Sequence, residues 1–380
     1  MTGPLHGLRV VEIAALGPAP FCGMVLADLG ADVVRVDRAG AVTGGHTSST
    51  RNDLMGRGKR SIGVDLKHEE GVSVVLRLVE GADALIEGFR PGVAERLGIG
   101  PAQCLARNAA LVYGRMTGWG QDGPLSERAG HDIDYIALSG ALAAIGPAEM
   151  PVPPLNLVGD FGGGGMLLAV GLLAAVIHAR ETGEGQVVDA AMVDGSALLT
   201  TAMHGHIAEG WWVPGRGANL LDGGAPFYAV YETADGGHIA VGALEPQFFA
   251  ALLEGLGIDQ EVLPAQGDRE GWPKIKAALA AKFSSRSRDD WAEHFAAIDA
   301  CVAPVLDATE VLGHPHNMAR EVFIEVDGVT QPAPGPRFSV TRVPAPSGPG
   351  YPGRDTDFVL KTLGYSESET SMLRRVGAVA

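Results

Sequence analysis

Apolar positions in the first third of the chain come in short unbroken runs, each followed by a stretch with helical spacing. The run Leu8 to Ala14, LRVVEIA, suits a strand buried on both faces, and after a loop FCGMVLADLGA is compatible with a helix. DVVRVDR follows as a second strand, so that Leu8 to Arg38 makes a strand, helix, strand unit of Rossmann-like proportions, with Asp37 and Arg38 at the carboxyl end of its second strand. The alternation continues through SIGVDL, a helix from Glu69 to Glu80, DALIEGF, a helical PGVAERLG and LVYGRMTG. This order predicts an open α/β fold with a mostly parallel sheet. Ligands of such sheets bind beyond the carboxyl ends of the strands, which directs attention to Asp37, Arg38, Gly88, Phe89, Arg90, Met116 and Thr117.

Past Ala202 the texture changes. GWWVPGRGANLLDGGAPFYAVYETADGGHIAVG carries alternating strands with a turn at Asp235 to Gly237, which predicts a separate β-containing unit, with helices following to about Ala300. QPAPGPRFSVTRVPAPSGPGYPG is rich in proline and expected to be extended, and VLKTLGYSESETSMLRRVG reads as a closing helix pair. The apolar stretch Met166 to Ala179 falls short of the roughly 18 to 20 residues a membrane span needs, and is expected to be a buried helix.

A length of 380 residues suits two domains. With 46% apolar and 19% charged residues the composition is that of a globular enzyme, and 54 glycines, about twice the usual share, imply many tight turns and close backbone approaches. The formal net charge of −16 argues against a nucleic-acid partner and would repel an anionic ligand, so an anion site must be locally basic. Cys22, Cys104 and Cys301 lack the spacing of a disulfide framework or a zinc site. No secretory start precedes the first strand and GAVA is not a peroxisomal address, which leads to the expectation of a cytoplasmic protein without a membrane partner.

The chemistry-bearing residues each have a plain alternative. The loop ALGPAPFCG does not give GxGxxG, and its prolines remove N–H donors where a pyrophosphate would sit, which makes NAD a minor alternative. Seven basic residues, Arg35, Arg38, Arg51, Arg57, Lys59, Arg60 and Lys67, suit a ligand with several phosphates such as coenzyme A; they equally suit a solvated loop with ion pairs. His131, in AGHDIDY, stands at a predicted helix start with Asp132 in its first turn. Asp160 precedes the four glycines Gly162 to Gly165 and a long apolar helix. It either caps that helix or lies beside free N–H groups able to stabilise charge on a thioester oxygen. Glu245 precedes a proline-led helix, and His204 with His206 has no third ligand at metal-site spacing.

Taken in order, GLRVVEIA, LGADVVRVDR, GKRSIGVDLK, ALIEGFRPGVAERLGIG, RMTGWGQDGP, AGHDIDYIALSG, PPLNLVGDFGGGG, GQVVDAAMVDGSALL, GGAPFYAVYE and GALEPQF resemble the class III CoA-transferase superfamily and, within it, the α-methylacyl-CoA racemases, over nearly the whole chain. The resemblance implies that His131 and Asp160 are catalytic and that Glu245 supports them. It carries coenzyme A contacts to Arg38, to Val64, Asp65, Leu66 and Lys67, to Gly88, Phe89 and Arg90, to Arg96, and to Gly130, Asp132, Ile133, Asp134 and Tyr135. It also implies an interlocked homodimer with the active site between subunits. In each chain residues 1–200 and 330–380 would form a large Rossmann-like CoA-binding domain, 225–329 a smaller α+β domain, and 201–224 the linker. Coenzyme A is then part of the substrate, and neither a separate cofactor nor a metal is implied.

The implied activity is that of an isomerase of lipid metabolism, which epimerises the α-carbon of 2-methylacyl-CoA thioesters by proton transfer through an enolate. Such a proton is weakly acidic, so its removal demands an aligned base and a stabilised oxyanion. His131 would serve one face and Asp160 the other. An alternative is a class III CoA-transferase in which Asp160 is a nucleophile forming an acyl anhydride; such transferases generally lack the GHD histidine, and a nucleophilic aspartate has no use for a second base. A non-catalytic CoA-binding protein is the third reading, against which the intact His131, Asp160 and Glu245 argue.

Overall fold

A computed structural model describes residues 3–380. Its principal sheet holds β1 (Arg9–Ile13), β2 (Asp32–Arg38), β3 (Arg60–Val64), β4 (Ala84–Glu87), β5 (Val112–Thr117) and β6 (Gln186–Ala191), all parallel, in the order β3-β2-β1-β4-β5-β6. That is the strand order of a Rossmann-type doubly wound sheet. The unbroken apolar runs are explained by helices on both faces. On one face α1 (Pro18–Asp28) sends Leu26 against Val10, Val33, Ala84 and Ile86. On the other, α2 (Glu69–Glu80) buries Val74, Val75, Leu78 and Val79. Each fully buried aliphatic side chain of this kind stabilises the fold by roughly 1.5–3 kcal/mol.

Because β1 lies between β2 and β4, the connections leaving β1 and β4 part at their carboxyl ends and open a crevice. Gly88 lets the two loops close on each other: a Cβ there would stand 3.2 Å from that of Ala15 and 3.4 Å from that of Ala19.

The helix expected over Met166 to Ala179 is longer and less buried than its sequence suggests. A π-helical segment, Leu157–Met166, runs directly into α4 (Leu167–Thr182), and the continuous 26-residue helix is long and apolar enough to cross a membrane by length and composition. One face, with Leu168, Leu172, Ala175 and Val176, is packed in the sheet core. The opposite face leaves Met166, Val170 and Ile177 exposed.

Four of the seven clustered basic residues are committed to internal ion pairs. Lys59 meets Glu12, in the central strand, at 2.6 Å, with both side chains fully buried. Burial pushes the Glu12 carboxyl up while Lys59 opposes the shift. Arg57 donates to Asp28 at 2.6 Å, and Arg35 joins Asp37 and Asp53, each at 2.9 Å. Arg60 pairs with Asp32.

By their contacts, residues up to Ser139, Leu155–Leu199 and those from Glu321 onward form one compact unit; Gly140–Pro154 and Thr200–Arg320 form a second. Within the first, the closing helices Thr356–Thr362 and Glu367–Arg375 lie by the open edge of β3. Asp355 accepts the Ser61 N–H at 2.9 Å, Thr356 Oγ1 accepts that of Gly63, and Val379 bridges to Val64. Arg57 also donates to Gln331 Oε1 and to the Pro332 carbonyl, at 2.8 and 2.7 Å. These two residues belong to the antiparallel ribbon Phe323–Val326 and Val329–Pro332.

The second unit contains an antiparallel sheet of Tyr228–Glu232, His238–Gly242 and Val302–Pro304. The turn between the first two strands is the one expected: Gly236 takes φ 77°, and Asp235 accepts the Thr233 hydroxyl at 2.5 Å. Phe249, Trp272, Ile275, Phe283 and Trp291 make its core.

Candidate active site

Two cavities flank the crevice beyond the strand ends. The larger, about 760 Å³, is bounded by Ile13 and Ala14 after β1, by Asp37 and Arg38 at the end of β2, by Val64, Asp65, Leu66 and Lys67 after β3, and by Phe89. Arg38 and Lys67 are the two members of the basic cluster in its lining, so its cationic character comes from them rather than from the whole cluster. Ala39, Ala41, Val93 and Leu97, which sequence reasoning did not single out, supply apolar lining. Arg96 does not line either of the two cavities; it sits on the short helix Val93–Arg96.

The smaller cavity, about 190 Å³, lies on the other side of Phe89, which borders both. Leu16 and Pro18, Gly88 and Arg90, Trp119, Gly130 and Tyr135 form its walls. The Tyr135 ring packs edge-on against Trp119, with centroids 4.7 Å apart, over two glycines: a Cβ on Gly118 or Gly130 would fall within 2.1 or 2.7 Å of it. Its hydroxyl donates to the Gly130 carbonyl. Burial, and then the charge of Asp160, push the Tyr135 phenol up to about 12.

His131 is the N-cap of α3 (Asp132–Leu138), with extended backbone, and its N–H donates to the Asp134 carboxylate at 2.9 Å. The helix forms there because Asp132 and Asp134 complement its first turn. Asp134 therefore shapes the turn, Ile133 is exposed, and Asp132 is buried.

Asp160 lies inside the π-helical segment, in its first turn, rather than ahead of a helix. The four glycines after it are helical, and the Phe161 N–H donates to the Asn156 carbonyl five residues back, at 3.3 Å. The expectation that the glycine N–H groups lie free beside Asp160 is therefore overturned: they belong to the helix. The glycines serve close packing instead. A Cβ on Gly165 would lie 2.8 Å from the Pro18 carbonyl, and one on Gly163 would lie 2.6 Å from the Ser196 N in α5 (Met192–Leu199). First-turn N–H groups without internal acceptors are found at Asp132 and Ile133 of α3.

Three contacts set the Asp160 side chain and its backbone. Asn156 Nδ2 donates to Oδ2 at 3.1 Å, and the Asp160 N–H donates to Asp132 Oδ1 at 2.6 Å. The carboxylate also rests against Gly17, between the cavity-lining Leu16 and Pro18; a Cβ on Gly17 would stand 3.2 Å from Oδ2. Gly17 takes φ 72°, which favours glycine independently. The structure thus brings the His131 turn and Asp160 together through Asp132. Asn156 and Gly17 were not foreseen, although an Asn four residues ahead of the Asp in NLVGD is a readable signal for a helix-start contact.

Glu87, at the end of β4, accepts the Phe89 N–H at 2.6 Å and so holds the residue that borders both cavities. Burial pushes its carboxyl up to about 7, against the opposing pull of the Phe89 N–H and of Arg115, 3.5 Å away. Glu245 belongs to the second unit, where it is the N-cap of the helix Pro246–Leu256, and its carbonyl accepts the Phe249 N–H at 3.0 Å.

Comparison with known proteins identifies the family. An α-methylacyl-CoA racemase of Mus musculus is 48% identical over 373 residues, spanning 97% of this chain and 96% of the relative. One of Homo sapiens is 44% identical over 375 residues, spanning 97% and 96%. The crystal structure of a CAIB/BAIF family protein from Brucella suis superposes with a TM-score of 0.83 at 27% identity, over 96% of this chain and all of that one. The model of CoA-transferase family III matches residues 5–356, and with relatives of this identity at nearly full length the chain belongs to that family.

Proposed function

We propose that this protein epimerises the α-carbon of 2-methylacyl-CoA thioesters. The reading is carried by one juxtaposition: a histidine at a helix start and a carboxylate from a second helix are bonded together through Asp132, next to a cavity at the strand ends. The larger cavity would take the nucleotide end of coenzyme A, with Arg38 and Lys67 meeting its phosphates. The pantetheine arm would pass Phe89 into the smaller cavity, bringing the thioester to Gly130 and Tyr135.

His131 takes the α-proton from one face, and the electron pair of that C–H bond moves onto the thioester oxygen. The N–H groups that open α3 supply donors for the resulting enolate. Asp160 returns a proton to the opposite face. The reverse direction exchanges the two roles, so each turnover inverts the protonation of the pair and leaves the composition of the substrate unchanged.

The exposed apolar residues Leu138, Met166, Val170, Ile177, Leu198 and Leu199 of the first unit support a homodimer, the assembly implied by the family resemblance, which also assigns Glu245 a supporting role.

The test is incubation of a single epimer of a 2-methylacyl-CoA in deuterium oxide without an acceptor acid. Deuterium enters at the α-carbon and the epimers equilibrate. An unchanged α-carbon overturns the reading, and coenzyme A transfer that appears only on adding an acid assigns Asp160 to nucleophilic work instead.

A further inference from the structure

We infer that Asp132 is a positioning residue that caps the π-helical turn from outside, and so fixes Asp160 relative to His131. Only its kinetic consequences rest on the racemase reading. A helix leaves the N–H groups of its first turn without internal acceptors, and a π-helix, bonding five residues back, leaves one more. In Leu157–Met166 the Phe161 N–H reaches back to Asn156, and the N-cap Asn156 itself makes no capping hydrogen bond from its side chain.

Asp132 supplies what that terminus lacks. Its Oδ1 accepts the Asp160 N–H at 2.6 Å, and the Gly159 N–H turns to the same carboxylate. Room for this exists because residue 159 is glycine: a Cβ there would stand 2.4 Å from Oδ1 and displace it. Asp132 is buried, and its Oδ2 has no partner among the described residues, so the hydrogen bonding of this carboxylate is directed at one turn. Bonds from N–H groups to an ionised carboxylate are about twice as strong as neutral ones.

Asp132 is also the first residue of α3, adjacent to His131. One short side chain therefore spans from the base to the turn that carries its partner, with no flexible segment between. A side chain in that place serves the turn rather than coenzyme A, to which the family resemblance assigns the residue.

Asp132→Ala and Asp132→Asn separate these roles. For Ala, kcat of epimerisation falls on the order of 10- to 100-fold while KM changes by no more than about twofold. Asn, whose side-chain oxygen can accept the same N–H groups, restores most of the rate. In deuterium oxide the Ala variant still exchanges the α-proton of the epimer served by His131, because the damage falls on the Asp160 step. A general loss of folding would instead lower exchange, epimerisation and Tm together, and that outcome overturns the inference. So does a raised KM with kcat intact, which returns Asp132 to substrate contact. A crystal structure of Asp132→Ala gives a readout free of activity: Asp160 swings away from Gly17, whereas an unmoved Asp160 overturns the assignment even if the wild type proves not to be a racemase.

Discussion

Glu87 couples a titration to the loop that borders both cavities. Its folded-state value of about 7 stands above the ordinary 4.5 because the carboxyl is buried. The folded protein thus holds a proton that the unfolded chain releases, and the associated stability is fully present below about pH 4.5 and lost as the pH rises through about 7. Urea unfolding of the wild type beside Glu87→Gln checks this: the wild type loses up to about 3 kcal/mol relative to the variant across that window. Parallel curves would show that Glu87 ionises in the folded state as it does in the unfolded chain. The basic cluster carries the complementary lesson for reading single residues. A sequence shows that Lys59, Arg57 and Arg35 are cationic, but their partners Glu12, Asp28 and Asp53 come from other elements, so composition alone left phosphate binding and ion pairing equally open.

At the scale of elements, strands β1 to β5 were legible from their apolar cores and the alternation with helices, and the helix expected from about Glu69 to Glu80 is present over that range. The edge strand β6 was not assigned from its pattern. Its first four residues are exposed or half-exposed, and QVVDAA has neither an unbroken apolar run nor a clean alternation. The π-helical segment was beyond reach for a different reason. Glycine carries no periodic signal, and a wide helix is chosen here by its neighbours: α1, α5 and Asp132. Packing of the segment on α5 is close enough that a Cβ on Gly195 would fall 1.8 Å from the Gly163 carbonyl. Gly195→Ala is therefore expected to cost about 3 kcal/mol or more, with a drop in Tm and in epimerisation as Asp160 is pushed out of place. An alanine variant with wild-type melting and activity would mean that the two helices separate at little cost.

At the scale of the molecule, the first compact unit is assembled from three stretches of the chain, and Arg57 joins two of them. Removing that guanidinium strands the buried Asp28 without its partner and frees the ribbon at Gln331 and Pro332. Arg57→Ala should destabilise by about 3–5 kcal/mol, read by chemical denaturation, with protease sensitivity rising first near residues 321–350. Retention of wild-type stability would mean that water reaches Asp28. The bond from Gly63 to Thr356, between residues 293 positions apart, has a consequence for biosynthesis. During translation β3 leaves the ribosome with one flank bare, and the segment that will cover it is made only after all of the second unit. The second unit, whose sequence ends at Arg320, can thus mature before the first is closed, while the nascent sheet waits with an adhesive margin, the interval in which a chaperone has most to protect.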